Sequence, residues 1–204
     1  MTKKSKPSSA TKAASAGKKA LAAKAADQAI QAAAAGDLAT LQSMAAAGVS
    51  IRKHSSTALQ LFSAARHNNG ELIEALIALG ADVNARLFGN EIPLHAAARQ
   101  LAIQSAKVLI AHGSRVNVMD NHGCTPLYVA TAQAGIRPEE ATLFARVLLE
   151  HGADGGLRDR YGGSAFGSCP AWEALAHEIR SEKQQQEIGA STGPALGEPS
   201  ITRI

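Results

Sequence analysis

Apolar and small residues recur at a fixed interval in the middle of the chain. The segments LQLFSAAR, IPLHAAAR and TPLYVATA begin at positions 59, 92 and 125, and Gly80 and Gly113, which close apolar stretches, have the same separation. The next interval, to Gly152, is longer because six residues, AGIRPE (134–139), are inserted. A fixed period of this length is typical of repeat proteins. The pattern predicts four units, beginning near residues 27, 59, 92 and 125, and a truncated fifth unit from Ser164.

Each unit is predicted to hold two short helices followed by a turn. In the third unit Pro93 suits the first position of a helix. A second helix there has an apolar face at helical spacing, formed by Ile103, Ala106, Val108, Leu109 and Ile110. Gly113 provides the left-handed residue that commonly ends a helix. The segments that follow such glycines predict extended turns that project from the stack, with Val83 and Val116 pointing inward.

The insertion in the fourth unit falls between its two predicted helices. We expect it to lengthen the connection between them, and Pro138-Glu139-Glu140 is a good start for the second helix. Stacking of the units should be unaffected.

Several segments resemble the signatures of the ankyrin repeat: TPLY at 125–128, IPLHAAAR at 92–99, LGADVNAR at 79–86 and HGADGG at 151–156. The resemblance covers residues 27 to about 163, with a degenerate cap to about 180. It implies an all-α repeat solenoid of paired antiparallel helices with projecting β-turn or hairpin fingers. The signature is altered at Asp27-Gln28-Ala29, Leu59-Gln60 and Ile92. Because loss of a Thr cap costs ~1 kcal/mol, we expect the first two units to be the less stable end.

The net charge of +4 hides a strong asymmetry. Residues 1–25 contain no acidic residue and seven lysines: Lys3, Lys4, Lys6, Lys12, Lys18, Lys19 and Lys24. In the rest of the chain, 14 basic residues are outnumbered by 17 acidic ones. A segment of Lys, Ala and Ser buries too little surface to fold alone. The composition therefore predicts a disordered tail at 1–25, the ankyrin-repeat domain at 26–183 and a second disordered tail at 184–204. Two cysteines and no apolar run of about 20 residues exclude a disulfide scaffold and a membrane-spanning protein.

The resemblance implies a protein-binding concave face, made by the turn tips and the exposed side of each first helix. Carried over by register, this face comprises Arg66, His67, Phe88, Glu91, Arg99, Gln100, Asn121, His122, Gln133, Arg160 and Tyr161. Phe88 and Tyr161 are predicted anchors, since aromatic residues dominate interface energetics; alternatively, Phe88 folds back over its own turn. Arg66 and Arg99 share a register, which predicts a row of basic side chains on this face. The row is either exposed to solvent or in contact with an acidic partner.

The sequence contains no set of residues that predicts catalysis. His95 occupies the signature position whose histidine, by the resemblance, joins turns and helices by hydrogen bonds. His122 and Cys124 are the nearest metal-ligand pair and Cys169 is the other thiol, but zinc usually needs four ligands. Nucleophile and phosphate-loop motifs are absent. We therefore expect no enzyme activity, no cofactor and no metal.

Two classes of function remain, and a third interpretation concerns delivery. The first is a non-catalytic adaptor or scaffold that binds another protein on the concave face, as a cytoplasmic monomer without a membrane partner. The second is binding of nucleic acid or an acidic surface through the lysine tail, while the repeats recruit a client. The third is a secreted bacterial ankyrin effector, with which a Ser- and Lys-rich start is compatible.

Overall fold

The structure is a computed structural model that describes residues 9–52 and 54–191, with side chains described for 19–52 and 54–186. In these residues ten α-helices form five consecutive pairs. The helices are α1 (Ser9–Ala35), α2 (Leu38–Ala46), α3 (Thr57–Arg66), α4 (Gly70–Ala78), α5 (Pro93–Gln100), α6 (Ile103–Ala111), α7 (Pro126–Ala134), α8 (Pro138–Glu150), α9 (Ala165–Ser168) and α10 (Ala171–Ser191). Odd-numbered helices pack on one another in one layer, and even-numbered helices pack in a second. The predicted all-α repeat solenoid is confirmed.

The core repeats with the same period as the sequence. Leu61, Leu94 and Leu127 are fully buried at one register of the odd-numbered layer. Leu76 and Leu109 are fully buried at one register of the even-numbered layer. Alanines fill the space between α3 and α5, so these helices approach closely; the buried ones are Ala64, Ala65, Ala96, Ala97 and Ala98. Each buried leucine contributes roughly 1.5–3 kcal/mol by removing apolar surface from water, and that gain depends on the neighbouring unit.

Three segments of equal length, 79–92, 112–125 and 151–164, join one pair of helices to the next, and we call them fingers 1, 2 and 3. Each finger folds back through a hydrogen bond between residues four apart: Leu87 to Glu91, Asp120 to Cys124 and Asp159 to Gly163. Within the described residues these turns form no β-strand, only an isolated antiparallel bridge in finger 3. Val83 and Val116 pack against the core, as predicted.

The six-residue insertion lengthens a helix more than a connection. In the second and third units residues 67–69 and 101–102 link the paired helices, and each link contains one left-handed residue, Asn68 with φ 55° and Leu101 with φ 54°. In the fourth unit residues 135–137 make the link, and α8 has 13 residues where α4 and α6 have nine. Pro138 opens α8, as predicted. The helix packs on both α6 and α10, so stacking is intact.

The helices at both ends extend past the predicted boundaries. Helix α1 begins at Ser9, so residues 9–25, expected to be disordered alone, continue the first helix of the first unit. Nucleation is the costly step of helix formation. The buried turn around Ala29 and Ala33 acts as the nucleus, and the Ala-rich residues before it extend the helix at little further cost. Helix α10 likewise passes residue 183 and ends at Ser191. Residues 1–8 and 192–204 lie outside the described part, and the predicted disorder there stays a prediction. No helix in the described ranges is long and apolar enough to cross a bilayer.

Candidate functional site

Backbone hydrogen bonds join the three fingers side by side. The Asn121 amide of finger 2 donates to the Gly89 carbonyl of finger 1 at 2.7 Å, and the Arg160 amide of finger 3 donates to the His122 carbonyl at 2.9 Å. The two donors occupy the same register, one repeat apart. The fingers therefore form a continuous row at one edge of the stack.

One asparagine in finger 1 and one in finger 2 fix the base of their finger to the next finger, a role that was not predicted from the sequence. Asn84 Nδ2 donates to the Gly113 carbonyl at 3.1 Å, and Asn84 Oδ1 accepts from the Arg115 amide at 2.9 Å. Asn117, one repeat later, makes the same pair of bonds with residues 152 and 154. The recurrence of Val-Asn at 83–84 and 116–117 was the available signal.

The loop between α2 and α3 differs from the fingers because it has only ten residues, 47–56. Helix α3 begins at Thr57, two residues before the predicted unit start, and the buried Thr57 hydroxyl donates to the Ile51 carbonyl at 2.8 Å. Leu59 consequently lies on a helix with 55% of its surface exposed, whereas its counterparts Ile92 and Thr125 are extended and buried.

A groove of about 570 Å³ opens between α3, α5 and finger 1. Its lining includes five of the predicted concave-face residues: Arg66, His67, Phe88, Glu91 and Arg99. It also includes residues that were not selected from the sequence: Ala34, Leu59, Gln60, Phe62, Ser63, Leu87 and Ala96. Six predicted residues lie outside the groove lining, namely Gln100, Asn121, His122, Gln133, Arg160 and Tyr161. The shorter spacing from Gly48 to Leu59 than from Gly80 to Ile92 was the one sign that Leu59 differs from its counterparts.

The two predicted aromatic anchors are both accessible. Phe88 is 91% exposed in a 3₁₀ turn at the tip of finger 1, so the alternative that it folds back over its own turn is wrong. Tyr161, at the tip of finger 3, is 85% exposed. The two rings therefore mark opposite ends of the row of fingers.

Arg66 and Arg99 do not form a row of equivalent cations. Arg99 is paired with Glu91 through both nitrogens, one at 3.2 Å from Glu91 Oε2 and the other in contact with Oε1. This hydrogen bonding raises the pKa of the Arg99 guanidinium, against the opposing effect of burial. Arg66, at the end of α3, makes no ion pair with any residue in the described part of the chain. The groove thus has one neutralised cation and one available cation.

His95 has the structural role that the sequence predicted. Its ring is fully buried, Nδ1 accepts from the Ile92 amide at 3.2 Å, and Nε2 donates to the Cys124 carbonyl at 3.1 Å. Desolvation lowers the pKa of His95. Tyr128 occupies the same register in the next unit, where desolvation, followed by the Asp159 carboxylate of finger 3, raises the pKa of its hydroxyl. The His95 ring thus connects a first helix to the following finger by hydrogen bonds at both of its nitrogens.

The side chains considered as metal ligands are His122, Cys124 and Cys169. Burial, followed by the nearby Asp120 carboxylate, raises the pKa of the Cys124 thiol to about 11. Without a metal ion this thiol is therefore protonated at neutral pH. His122 is exposed at a finger tip. Among residues 9–52 and 54–191, no three His, Cys, Asp or Glu side chains are grouped closely enough to hold a metal ion.

Comparison with known proteins agrees with this architecture. The family model for ankyrin repeats (3 copies) matches residues 29–120 and 61–159. The E3 ubiquitin-protein ligase KEG of Arabidopsis thaliana is 34% identical to the chain over 149 residues, which are 72% of this chain and 9% of that protein. The chain belongs to the ankyrin-repeat family. Ankyrin repeats generally mediate protein–protein interaction, and the fold is typically a non-catalytic module.

Proposed function

We propose that the chain is an adaptor or scaffold that binds a partner protein on its concave face and catalyses no reaction. One observation supports this proposal above the others: five residues selected by repeat register, one of them an almost fully exposed phenylalanine, converge on a single groove. The expected state is a cytoplasmic monomer whose only partner on this face is protein.

Exposure of Phe88 and Leu59 gives the groove its binding potential. Both side chains lose apolar surface to water when a partner covers them, which favours association by roughly 25 cal/mol per Å² of apolar surface. Aromatic side chains surrounded by polar groups are typical of the few residues that dominate interface energy. Here the polar surroundings are Arg66 and the ion pair of Glu91 with Arg99.

A comparative pull-down tests the proposal. Full-length chain, a Phe88→Ser/Arg66→Glu variant and a Leu143→Ser control would each be exposed to extract of the source cells. Leu143 is 56% exposed on α8, in the other helix layer, so its loss should not affect binding to the concave face. Proteins retained by the wild type and the control, but lost with the double variant, are the expected result. Equal retention by all three would contradict the proposal.

A second candidate function is binding of nucleic acid or another acidic surface by α1. The continuous helix from Ser9 carries Lys12 and Lys18, and Lys19 and Lys24 are exposed on it; Lys3, Lys4 and Lys6 lie outside the described residues. If each lysine neutralised a phosphate, affinity would fall steeply with salt. Titration of a fluorescent 20-base-pair duplex with full-length chain and with Lys18→Glu/Lys19→Glu/Lys24→Glu tests this candidate. Equal binding by the two proteins would contradict it.

A further inference from the structure

Finger 1 has an edge that no other finger covers. The amides of Asn121 and Arg160 donate across the row to the preceding finger, and Phe88 holds the same register in finger 1. The preceding loop, 47–56, is four residues shorter than a finger. The Phe88 amide accordingly donates to no carbonyl in the described residues 9–52 and 54–191. An amide that becomes buried needs an acceptor, so whatever covers this edge must supply one.

Apolar surface lies directly beneath that edge. Leu59 is 55% exposed because α3 starts early, and it lines the groove together with Leu87, Phe88 and Ala96. A partner side chain entering between Leu59 and Phe88 would be enclosed on two sides by apolar atoms. This end of the groove therefore selects a large apolar residue.

The other end of the groove is cationic. Arg66 lies seven residues after Leu59 on α3, which at 1.5 Å per residue is about 10 Å along the helix axis. Glu91 neutralises Arg99, and Arg66 has no carboxylate partner among the described residues, so the net charge available to a partner is positive. Charge complementarity therefore selects a carboxylate at this end.

We propose that the groove binds an extended acidic segment of a partner protein, aligned along the open edge of finger 1. A carbonyl of the segment accepts from the Phe88 amide, an apolar side chain fills the space between Leu59 and Phe88, and an Asp or Glu side chain pairs with Arg66. This inference rests on the proposed function and specifies the chemistry of its partner. At about 3.3 Å per extended residue, the separation of about 10 Å places the apolar and acidic residues about two to four positions apart.

Selection of peptides from a random library tests this chemistry without a known partner. A phage-displayed library of 12-residue peptides would be selected on full-length chain, and the recovered peptides synthesised and titrated by fluorescence anisotropy. We expect enrichment of Asp or Glu two to four positions from Leu, Ile, Phe, Met or Trp. Phe88→Ser, Leu59→Ser and Arg66→Glu should each weaken binding at least tenfold. Glu91→Gln, which leaves Arg99 unpaired, should strengthen it.

Two matched variants make the test decisive. Leu143→Ser removes an exposed apolar side chain from α8, in the other helix layer, and should leave peptide affinity unchanged. Arg66→Glu should recover affinity for peptides in which the acid is replaced by Lys, an effect that misfolding cannot produce. Peptides without the acidic-apolar pattern, or affinities indifferent to Arg66→Glu, would overturn the inference.

The same experiment separates this inference from the proposed function. Peptide affinities that do not change with Arg66→Glu but fall with Gln100→Ala or Asn121→Ala would overturn the proposed chemistry. They would still support a binding site on the concave face. Recovery of no binding peptide would overturn the inference, and the pull-down would then decide the proposed function by itself. Self-association through this groove would appear as a dimer in ultracentrifugation that Phe88→Ser abolishes, and it would overturn the choice of an acidic partner segment.

Discussion

The His95 ring connects α5 to finger 2, which follows the same pair of helices, with Nε2 at 3.1 Å from the Cys124 carbonyl oxygen. The opposite ring nitrogen accepts from the Ile92 amide at the start of the same helix. This pattern requires a neutral ring with its proton on Nε2, because a protonated Nδ1 can no longer accept. The attachment of finger 2 to α5 is therefore sensitive to protonation.

Acidification should destabilise the fold through His95. Desolvation lowers the folded-state pKa of His95 below the ordinary value of 6.5, and Arg99 adds a smaller lowering effect. The Cys124 carbonyl, Asp120 and Glu91 act in the opposite direction but do not outweigh desolvation. The unfolded chain then binds more protons below about pH 6.5, so stability falls as pH drops through that value. Thermal melting from pH 7.5 to 5 should show a decreasing Tm.

A His95→Gln variant distinguishes this effect from general acid sensitivity. Removing the ring leaves the Ile92 amide or the Cys124 carbonyl unpaired, which costs about 1–3 kcal/mol at pH 7.5. Its Tm should also change less than that of the wild type between pH 7.5 and 5. His112→Gln, at an exposed helix end, should retain the wild-type pH dependence. Identical pH profiles for His95→Gln and wild type would assign the acid sensitivity to other groups.

Leu109→Asp should unfold more than its own unit. Leu109 is fully buried in α6 between neighbouring helices, and an unpaired buried charge costs several kcal/mol. Because each unit is stabilised by the next, far-UV circular dichroism should show a loss of helix across several units. Lys107→Asp, on the exposed side of α6, should melt close to wild type. A small change for Leu109→Asp would mean that the register of α6 is wrong.

Gly155→Ala should weaken attachment of the C-terminal cap. An ideal Cβ at residue 155 would overlap the Phe166 ring, which lies directly against the Gly155 backbone. We expect a loss of about 1–3 kcal/mol in the free energy of unfolding, as for other overpacking substitutions. Gly156→Ala meets only an Asp154 oxygen at 3.3 Å and should cost less. Combining Gly155→Ala with Phe166→Ala should remove the steric part of the penalty; an additive double variant would refute the clash.

Asn84→Ala should loosen the junction between the second and third units. The substitution removes a donor to the Gly113 carbonyl and an acceptor of the Arg115 amide. Loss of the pair should cost about 1–3 kcal/mol, measured by urea denaturation. Asn121→Ala is the control, since the exposed side chain of Asn121 makes no hydrogen bond to described residues and only its backbone joins the fingers. If the two variants were equally stable, the side chain of Asn84 would not stabilise the junction.

Much of the helical stack could be predicted because the repeated units are visible in the amino-acid sequence. A unit that must bury its apolar face on a neighbour uses the same residue type at the same register, so Leu61, Leu94 and Leu127 align in sequence and in the core. The role of His95 was predicted from the resemblance of IPLHAAAR at 92–99 to the ankyrin signature. The effect of the insertion was less predictable. Six extra residues can lengthen either a helix or a loop, and the sequence alone does not distinguish the two.

The concave face was harder to predict than the core. Register selected Arg66, Phe88 and Arg99 for this face, yet it could not indicate that Glu91 neutralises only one of the two arginines. That pairing depends on side chains eight positions apart meeting in space. Leu59 was missed because its counterparts are buried, and its exposure follows from the early start of α3.

The period, the family and the buried registers follow from the amino-acid sequence, because local helix patterns and repeated glycines are readable along one dimension. The three-dimensional arrangement was needed to show which finger edge no other finger covers, which arginine has no ion-pair partner among the described residues, and how far the end helices extend. Those properties depend on the distance between segments that are remote in the chain, and on whether a neighbour supplies an acceptor, a counter-charge or a helical nucleus.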